Sequence, residues 1–302
     1  MARHIAAEHG LDLHRLHGSG PLGRVIRADV EAALTDQGQQ PAPQGQPPAG
    51  EPRPSAGAGP DGREAQPEPV ELDGDERVPL SQMRRTIARR MVESVTTTPH
   101  FYLTTTVDAT DLVAFRTQLL AQAEAAGEPL KVSLNDLILR AVAVALRRMP
   151  AVNVSFAEQD LIRHAHVNVG IAVATDRGLI VPVIRDADQK SIRQIAGEAR
   201  DLADRARDGK LQPADYRGGT FTVSNLGMFG IDFFTAVINP PEAGILAIGA
   251  VVREPAEFQG QVALRERLHL TLSVDHRALD GALGARFLQL LKKLLEQPLL
   301  MV

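Results

Sequence analysis

Near the C-terminus, the run Ser273-Val274-Asp275-His276-Arg277-Ala278-Leu279-Asp280-Gly281 sets a histidine, an aspartate and a glycine at fixed spacing. An imidazole placed where a strand gives way to a helix can present its ring to a cleft, where it could exchange a proton. His276 and Asp280, four residues apart, could also share a helix face as metal ligands, but no third ligand lies nearby and no metal is expected. Upstream, Gly218-Gly219-Thr220-Phe221-Thr222-Val223-Ser224-Asn225-Leu226-Gly227 runs a strand into a glycine-containing turn. Such a turn can aim the Ser224 hydroxyl at negative charge developing on a reacting oxygen. Each segment alone has a plainer reading: a histidine satisfied at a strand end, and a turn built from Ser and Asn.

Something larger must position these residues. Apolar spacing predicts helices over Ser81–Ser94, Asp111–Ala126, Ser133–Met149 and Ile192–Gly209, with Ser133 as an N-cap, and a last helix over Gly281–Glu296. Strands are predicted at Phe101–Val107, Thr220–Val223, Gly244–Val252 and Leu268–Val274. Val167–Ala174 and Leu179–Ile184 read as a β-hairpin closed by Thr175, Asp176, Arg177 and Gly178. Helices and strands are mixed throughout, so residues 76–302 are expected to form one α/β domain.

The 302-residue chain contains no cysteine, which removes disulfides, thiolate nucleophiles and Cys-based metal sites. Any thiol chemistry must use thiols carried by substrates. A net charge of −4 argues against a nucleic-acid binder. No apolar run approaches the roughly 20 residues that span a bilayer, and no apolar signal region follows Met1, so neither membrane nor nucleic acid is an expected partner and a cytoplasmic location is the default.

Residues 37–75 are rich in Gln, Pro, Gly, Ala and Glu, with few large apolar side chains to offset ordering entropy, and read as an extended linker. Residues 1–36 are patterned by Ile5, Leu11, Leu13, Leu16, Val25, Ile26, Val30 and Leu34. They predict two short helices, one over Arg3–His9 ending at Gly10 and one over Arg27–Leu34. Gly18, Gly20 and Gly23 match a dinucleotide-binding glycine pattern by letter, but a helix precedes them where a strand is needed, and Pro21 lacks an amide. Arg84, Arg85, Arg89 and Arg90 read as a solvated helix face, with contact to neighbouring subunits or to substrate phosphates as the alternative.

Taken together, the segments around Ser224 and His276 resemble the catalytic domain of the dihydrolipoamide acyltransferases, the E2 components of 2-oxoacid dehydrogenase complexes. The family's HxxxDG signature is matched by His276, Asp280 and Gly281. Agreement continues through Val78-Pro79-Leu80-Ser81, Arg84 to Met91, Pro99-His100, Ser133-Leu134-Asn135-Asp136, Gly178 to Val183 and Ile238-Asn239-Pro240-Pro241. Residues 3–34 are similar to the family's peripheral subunit-binding domain through Gly10 to Leu13, Gly18 to Val25 and Asp29-Val30. The first few residues of that domain are expected to be missing, and Ala7 stands where the family often has arginine.

The resemblance implies a chloramphenicol-acetyltransferase-type α/β fold. It implies transfer of an acyl group between dihydrolipoamide and coenzyme A, with His276 as base, Ser224 as oxyanion donor and Asp280 orienting the site through its own loop or an arginine. It further implies a homotrimer with sites between subunits, assembled into a larger core, so that His276 and Ser224 could come from different chains. Arg3 and Arg24 would hold an E1 or E3 subunit. Lipoate serves the family, yet the first lysine here is Lys131, so no lipoylation site precedes the core; either the chain is incomplete or acyl-lipoyl domains come from another polypeptide. Ser224 to Gly230 with Ile238 to Pro241 look most like the acetyl-transferring members of pyruvate dehydrogenase complexes, and succinyl and branched-chain transfer stay open. A non-catalytic E3-binding scaffold and a free-standing acyltransferase are the competing readings.

Overall fold

The computed structural model describes Val25, Asp29, Val30 and residues 69–302. Asp29 and Val30 are helical, inside the helix predicted over Arg27–Leu34. The rest of that helix, the helix at Arg3–His9 with its Gly10 cap, Ala7, the glycines at 18, 20 and 23, Arg3, Arg24 and most of the expected linker lie outside the described residues. The chain divides into two compact units, Met1–Asp75 and Glu76–Val302.

In the second unit, α1 (Gln82–Thr97) begins where the Ser81 hydroxyl accepts the Arg84 amide at 3.2 Å. It runs on to Thr97 rather than Ser94 and buries only Ser94. Strand β1 (His100–Asp108) leads to α2 (Thr110–Ala125) and α3 (Leu134–Arg148). Ser133 and Asp136 exchange hydrogen bonds in a capping box at the start of α3. Nine residues of α3 are buried, including Leu137, Ile138, Leu139, Val142 and Leu146, because the helix is enclosed on several sides by the core. Helix α4 (Ile192–Arg207) keeps one apolar stripe, Ile195, Ala199, Leu202 and Ala206, and starts at a second capping box between Ser191 and Gln194. Helix α5 (Gly281–Glu296) spans the predicted range and is capped by Asp280.

The main sheet has six strands in the order β1-β10-β9-β8-β4-β7. Its members are β1, β4 (Val169–Ile171), β7 (Val183–Ile184), β8 (Phe221–Asn225), β9 (Gly244–Phe258) and β10 (Gln261–Asp275). β8 runs parallel to both β4 and β9, and the other pairings are antiparallel. The predicted hairpin is divided. Its outer parts, β4 and β7, join the main sheet, whereas β5 (Val173–Thr175) and β6 (Gly178–Ile180) form a separate pair. The break falls where Ala172 donates to Val223 O and Pro182 has no amide to continue the ladder.

Two features were absent from the sequence reading. β2 (Val154–Ala157) and β3 (Asp160–Arg163) form a short hairpin, and β9 and β10 pair far beyond the predicted Val252 and Leu268. Their distal halves carry charged pairs and runs such as Arg253-Glu254 and Arg265-Glu266-Arg267 and leave Val262 and Leu264 exposed, so they lack the long apolar run that marked the inner halves. The core lies between the sheet and α2, α3 and α5, with Phe221 and Phe287 ring to ring at 5.7 Å. Truncating either ring to alanine would cost about 3–5 kcal/mol.

Candidate functional site

His276 follows directly on β10. Its backbone amide donates to Pro99 O at 2.9 Å, and the Phe101 ring lies against its imidazole with centroids 4.9 Å apart, inclined by 52°. The imidazole is exposed, and no hydrogen bond engages it among the described residues. Both neighbours of His276 are tied down. The Asp275 amide donates to Ala243 O at 2.9 Å, and Arg277 closes a bidentate pair on the buried Asp275 carboxylate, Nη2 to Oδ2 at 2.7 Å. The same guanidinium lies 4.2 Å over the Phe156 ring, and hydrogen bonding to Asp275 raises its already high pKa.

The Pro99–Phe101 side of this cradle has its own anchor. His100 Nε2 accepts the Ile238 amide at 3.1 Å, which requires the proton on Nδ1, where it donates to Thr98 O at 2.8 Å. Gly281 matters here for a steric reason: a Cβ at that position would sit 3.2 Å from the Phe101 ring.

Ser224 stands near the end of β8, half-buried, with its hydroxyl unengaged by any hydrogen bond among the described residues. The turn beyond it is held by Asn225, which donates to Asn135 Oδ1 at 3.0 Å and accepts the Gly227 amide at 2.9 Å. The chain then folds so closely on β9 that a Cβ at Gly249 would lie 1.8 Å from Asp232 O. Ser224 opens into a cavity of about 570 Å³ lined also by Asn135, Ile171, Leu179, Arg200, Arg207 and Met228.

Within one chain, His276 and Ser224 do not meet. Ser224 is opposite Ala247, and Ala247 opposite Thr271, five residues before His276. At about 4.8 Å between strands and 3.3 Å per residue, the two lie roughly 19 Å apart. They lie on different strands, Ser224 near the end of β8 and His276 just past the end of β10. The Asp280 carboxylate accepts the Leu283 amide at 2.7 Å and forms no salt bridge among the described residues, so its contact is within its own loop and helix and not with an arginine.

Residues 73–302 match the family model of the 2-oxoacid dehydrogenase acyltransferase catalytic domain, and residues 1–31 match that of the E3 binding domain. The chain belongs to the 2-oxoacid dehydrogenase acyltransferase family. A curated relative, the dihydrolipoyllysine-residue acetyltransferase component of the pyruvate dehydrogenase complex of Rhizobium meliloti, is 44% identical over 301 residues, 99% of this chain and 67% of that protein. A solved dihydrolipoamide acetyltransferase from Azotobacter vinelandii superimposes with a TM-score of 0.72 at 37% identity, covering 78% of this chain and 99% of that one. A probable dihydrolipoamide acetyltransferase from Listeria monocytogenes gives 0.71 at 39% identity, over 75% and 96%. The chain spans between about half and two thirds of the length of the curated relatives it matches.

For this acyltransferase-family chain, the sequence reading had quoted Asp275, Arg277 and His100 without giving them roles, and it had passed over Phe101. Their partners become visible only when β1, β10 and the 238–243 segment come together. Glu242 was missed too. It is 4% exposed, accepts from Thr222 Oγ1 at 2.5 Å and from Asn239 Nδ2 at 3.1 Å, and burial pushes its pKa to about 7 against those two hydrogen bonds. Arg84, Arg85, Arg89 and Arg90 are all exposed on α1. Among the described residues no group of three or more His, Asp or Glu side chains could hold a metal, and no helix is long and apolar enough to cross a membrane.

Proposed function

We propose that this chain transfers an acyl group, acetyl in the first instance, between dihydrolipoamide and coenzyme A. The Azotobacter vinelandii structure was solved to define a serine, a histidine and an asparagine in the catalytic mechanism of a dihydrolipoamide acetyltransferase. That serine precedes the histidine by 52 positions and the histidine precedes the asparagine by four; Ser224 precedes His276 by 52, and His276 precedes Asp280 by four. This shared spacing is the observation that carries the reading, with aspartate standing where that enzyme has asparagine.

In the proposed reaction His276 takes the proton of the coenzyme A thiol, and the thiolate adds to the thioester carbonyl of acyl-dihydrolipoamide. Ser224 donates to the oxyanion of the tetrahedral intermediate. The carbon–sulfur bond to dihydrolipoamide then breaks, and the departing thiolate recovers the proton from the His276 imidazolium. Base catalysis of this kind contributes about 10²- to 10⁴-fold and one oxyanion donor about 10²- to 10³-fold. The separation of His276 from Ser224 within a chain supports a site shared between subunits of a homotrimer, itself part of a larger core. Arg200 and Arg207, on the cavity that Ser224 faces, suit an anionic substrate such as coenzyme A. Arg3 and Arg24 are proposed to hold an E3 or E1 subunit, and the location is proposed as cytoplasmic.

The test is acyl transfer between coenzyme A and dihydrolipoamide by wild type, His276→Ala and Ser224→Ala, using acetyl, succinyl and isobutyryl donors. Loss of at least about 10²-fold in His276→Ala, with the oligomer intact, is expected. Turnover at the wild-type rate in that variant would refute the role of the base.

A further inference from the structure

One buried side chain joins the two separated halves of the site. The Glu242 carboxyl holds Thr222, two residues before Ser224 on β8, through one oxygen, and Asn239 through the other. Asn239 follows Ile238, whose amide caps His100 Nε2 and whose carbonyl accepts the Ser94 hydroxyl at 2.7 Å. On its other side, Glu242 is followed by Ala243, whose carbonyl takes the amide of Asp275, the residue before His276, and whose amide donates to Val154 O. The segment 238–243 therefore grips both flanks of His276, and Glu242 pins that segment to the strand carrying Ser224.

We infer that Glu242 is a positioning residue for acyl transfer, fixing the His276 loop and the Ser224 strand of each chain relative to one another. The inference rests on the acyltransferase reading above. If each site takes its histidine from one subunit and its serine from the next, a shift between these two elements misaligns two sites at once.

The groups at the carboxyl are Thr222 from β8 and Asn239 from its own loop, with Gly219 ahead of β8 so close that a Cβ there would lie 2.8 Å from the Glu242 Oε1. Among the described residues no charged side chain contributes to its ionisation; burial is the largest influence and favours the protonated form. An unfolded chain would ionise this carboxyl near 4.5, whereas the folded chain keeps the proton up to about 7. Its contribution to stability is thus full below 4.5 and is lost as pH rises through 7. Above that, a negative charge sits in a buried site without a cation, and the two elements it joins are loosened.

Glutamine has the shape of the protonated side chain and can bond both Thr222 and Asn239, while leucine fills the space with no hydrogen bond. The experiment compares the full-length wild type with Glu242→Gln and Glu242→Leu, measuring kcat and KM for acetyl transfer from acetyl coenzyme A to dihydrolipoamide across the neutral range, with melting temperature at each pH. The wild-type kcat should carry a downward inflection near pH 7 that Glu242→Gln lacks, with the two agreeing within about twofold on the acid side. Glu242→Leu should lose about tenfold or more in kcat with KM within about twofold, the mark of misaligned groups rather than lost binding. Melting of the wild type should fall, relative to Glu242→Gln, as pH rises through 7. Matching kcat profiles for wild type and Glu242→Gln would overturn the inference, as would a fully active Glu242→Leu. If Glu242→Leu does not fold, the Gln comparison alone decides. Absence of transfer by the wild type would instead overturn the acyltransferase reading and this inference with it.

Discussion

The Phe101 ring rests against the His276 imidazole, centroids 4.9 Å apart, giving an otherwise exposed base a side-chain neighbour that can orient it. Aromatic pairs of this geometry are worth about 0.5–1.5 kcal/mol beyond their buried area, enough to select one rotamer of the histidine. Phe101→Leu, which keeps the apolar contact with Gly281 but loses the ring, is expected to lower kcat about threefold to tenfold while KM stays within about twofold. Steady-state kinetics check this, and an unchanged kcat would show that another contact orients the ring.

The separation of roughly 19 Å between His276 and Ser224 within a chain leads to a complementation experiment. In a closed trimer whose sites take the base from one subunit and the hydroxyl from the next, a random equal mixture of His276→Ala and Ser224→Ala chains restores about a quarter of the sites. Each parent alone is nearly inactive. Co-expression or refolding of the mixture, followed by the transfer assay, should recover that fraction. Recovery no greater than the parents' residual activity would place both groups in one chain's site and contradict the strand register.

Asp275 and Arg277 bracket the base. Asp275→Asn leaves Arg277 without its ionic partner and the buried position with a weaker acceptor, so a loss of about 1–3 kcal/mol is expected. Because the Asp275 amide is itself bonded to Ala243 O, the backbone should hold and the variant should fold. Urea denaturation measures the loss, and kcat should fall alongside as the His276 loop relaxes. A stability change under about 0.5 kcal/mol would show that the pair is no more than an exposed surface bridge.

Helices were the legible part of this fold because their ends are written in local chemistry. Ser81, Ser133 and Asp280 each cap the helix that begins after them, and α5 occupies the predicted Gly281–Glu296. Strands were legible only where one face is buried. The inner halves of β9 and β10 carry apolar runs such as Ile245-Leu246-Ala247-Ile248, but the outer halves form an exposed hairpin closed at Gln259-Gly260, with polar cross-strand pairs such as Arg267 with Glu254 at 3.6 Å and no buried face to mark them. The β2–β3 hairpin failed for the same reason, since β3 is exposed on every residue. His276, Ser224 and Asp280 could be named from their motif, yet the distance between the first two depends on sheet order, which spacing along the chain does not encode. Glu242 stands one residue beyond a recognisable Ile238-Asn239-Pro240-Pro241 run; that it is buried follows from Gly219 and Thr222 folding over it, and no local pattern announces that.

Asp280 separates a capping role from a charge role. Its carboxylate accepts the Leu283 amide at 2.7 Å at the N-terminus of α5, and aspartate and asparagine cap helices almost equally well. Asp280→Asn should therefore change stability by less than about 0.5 kcal/mol and keep acyl transfer within a few-fold, in line with the asparagine at this spacing in the Azotobacter vinelandii enzyme. Asp280→Ala removes the cap, costs about 1 kcal/mol in chemical denaturation, and loosens the turn from His276 into the helix, so kcat should fall further than in the asparagine variant. If the asparagine variant loses as much activity as the alanine one, the negative charge itself is required, and a cationic partner from another subunit would have to supply its counterpart.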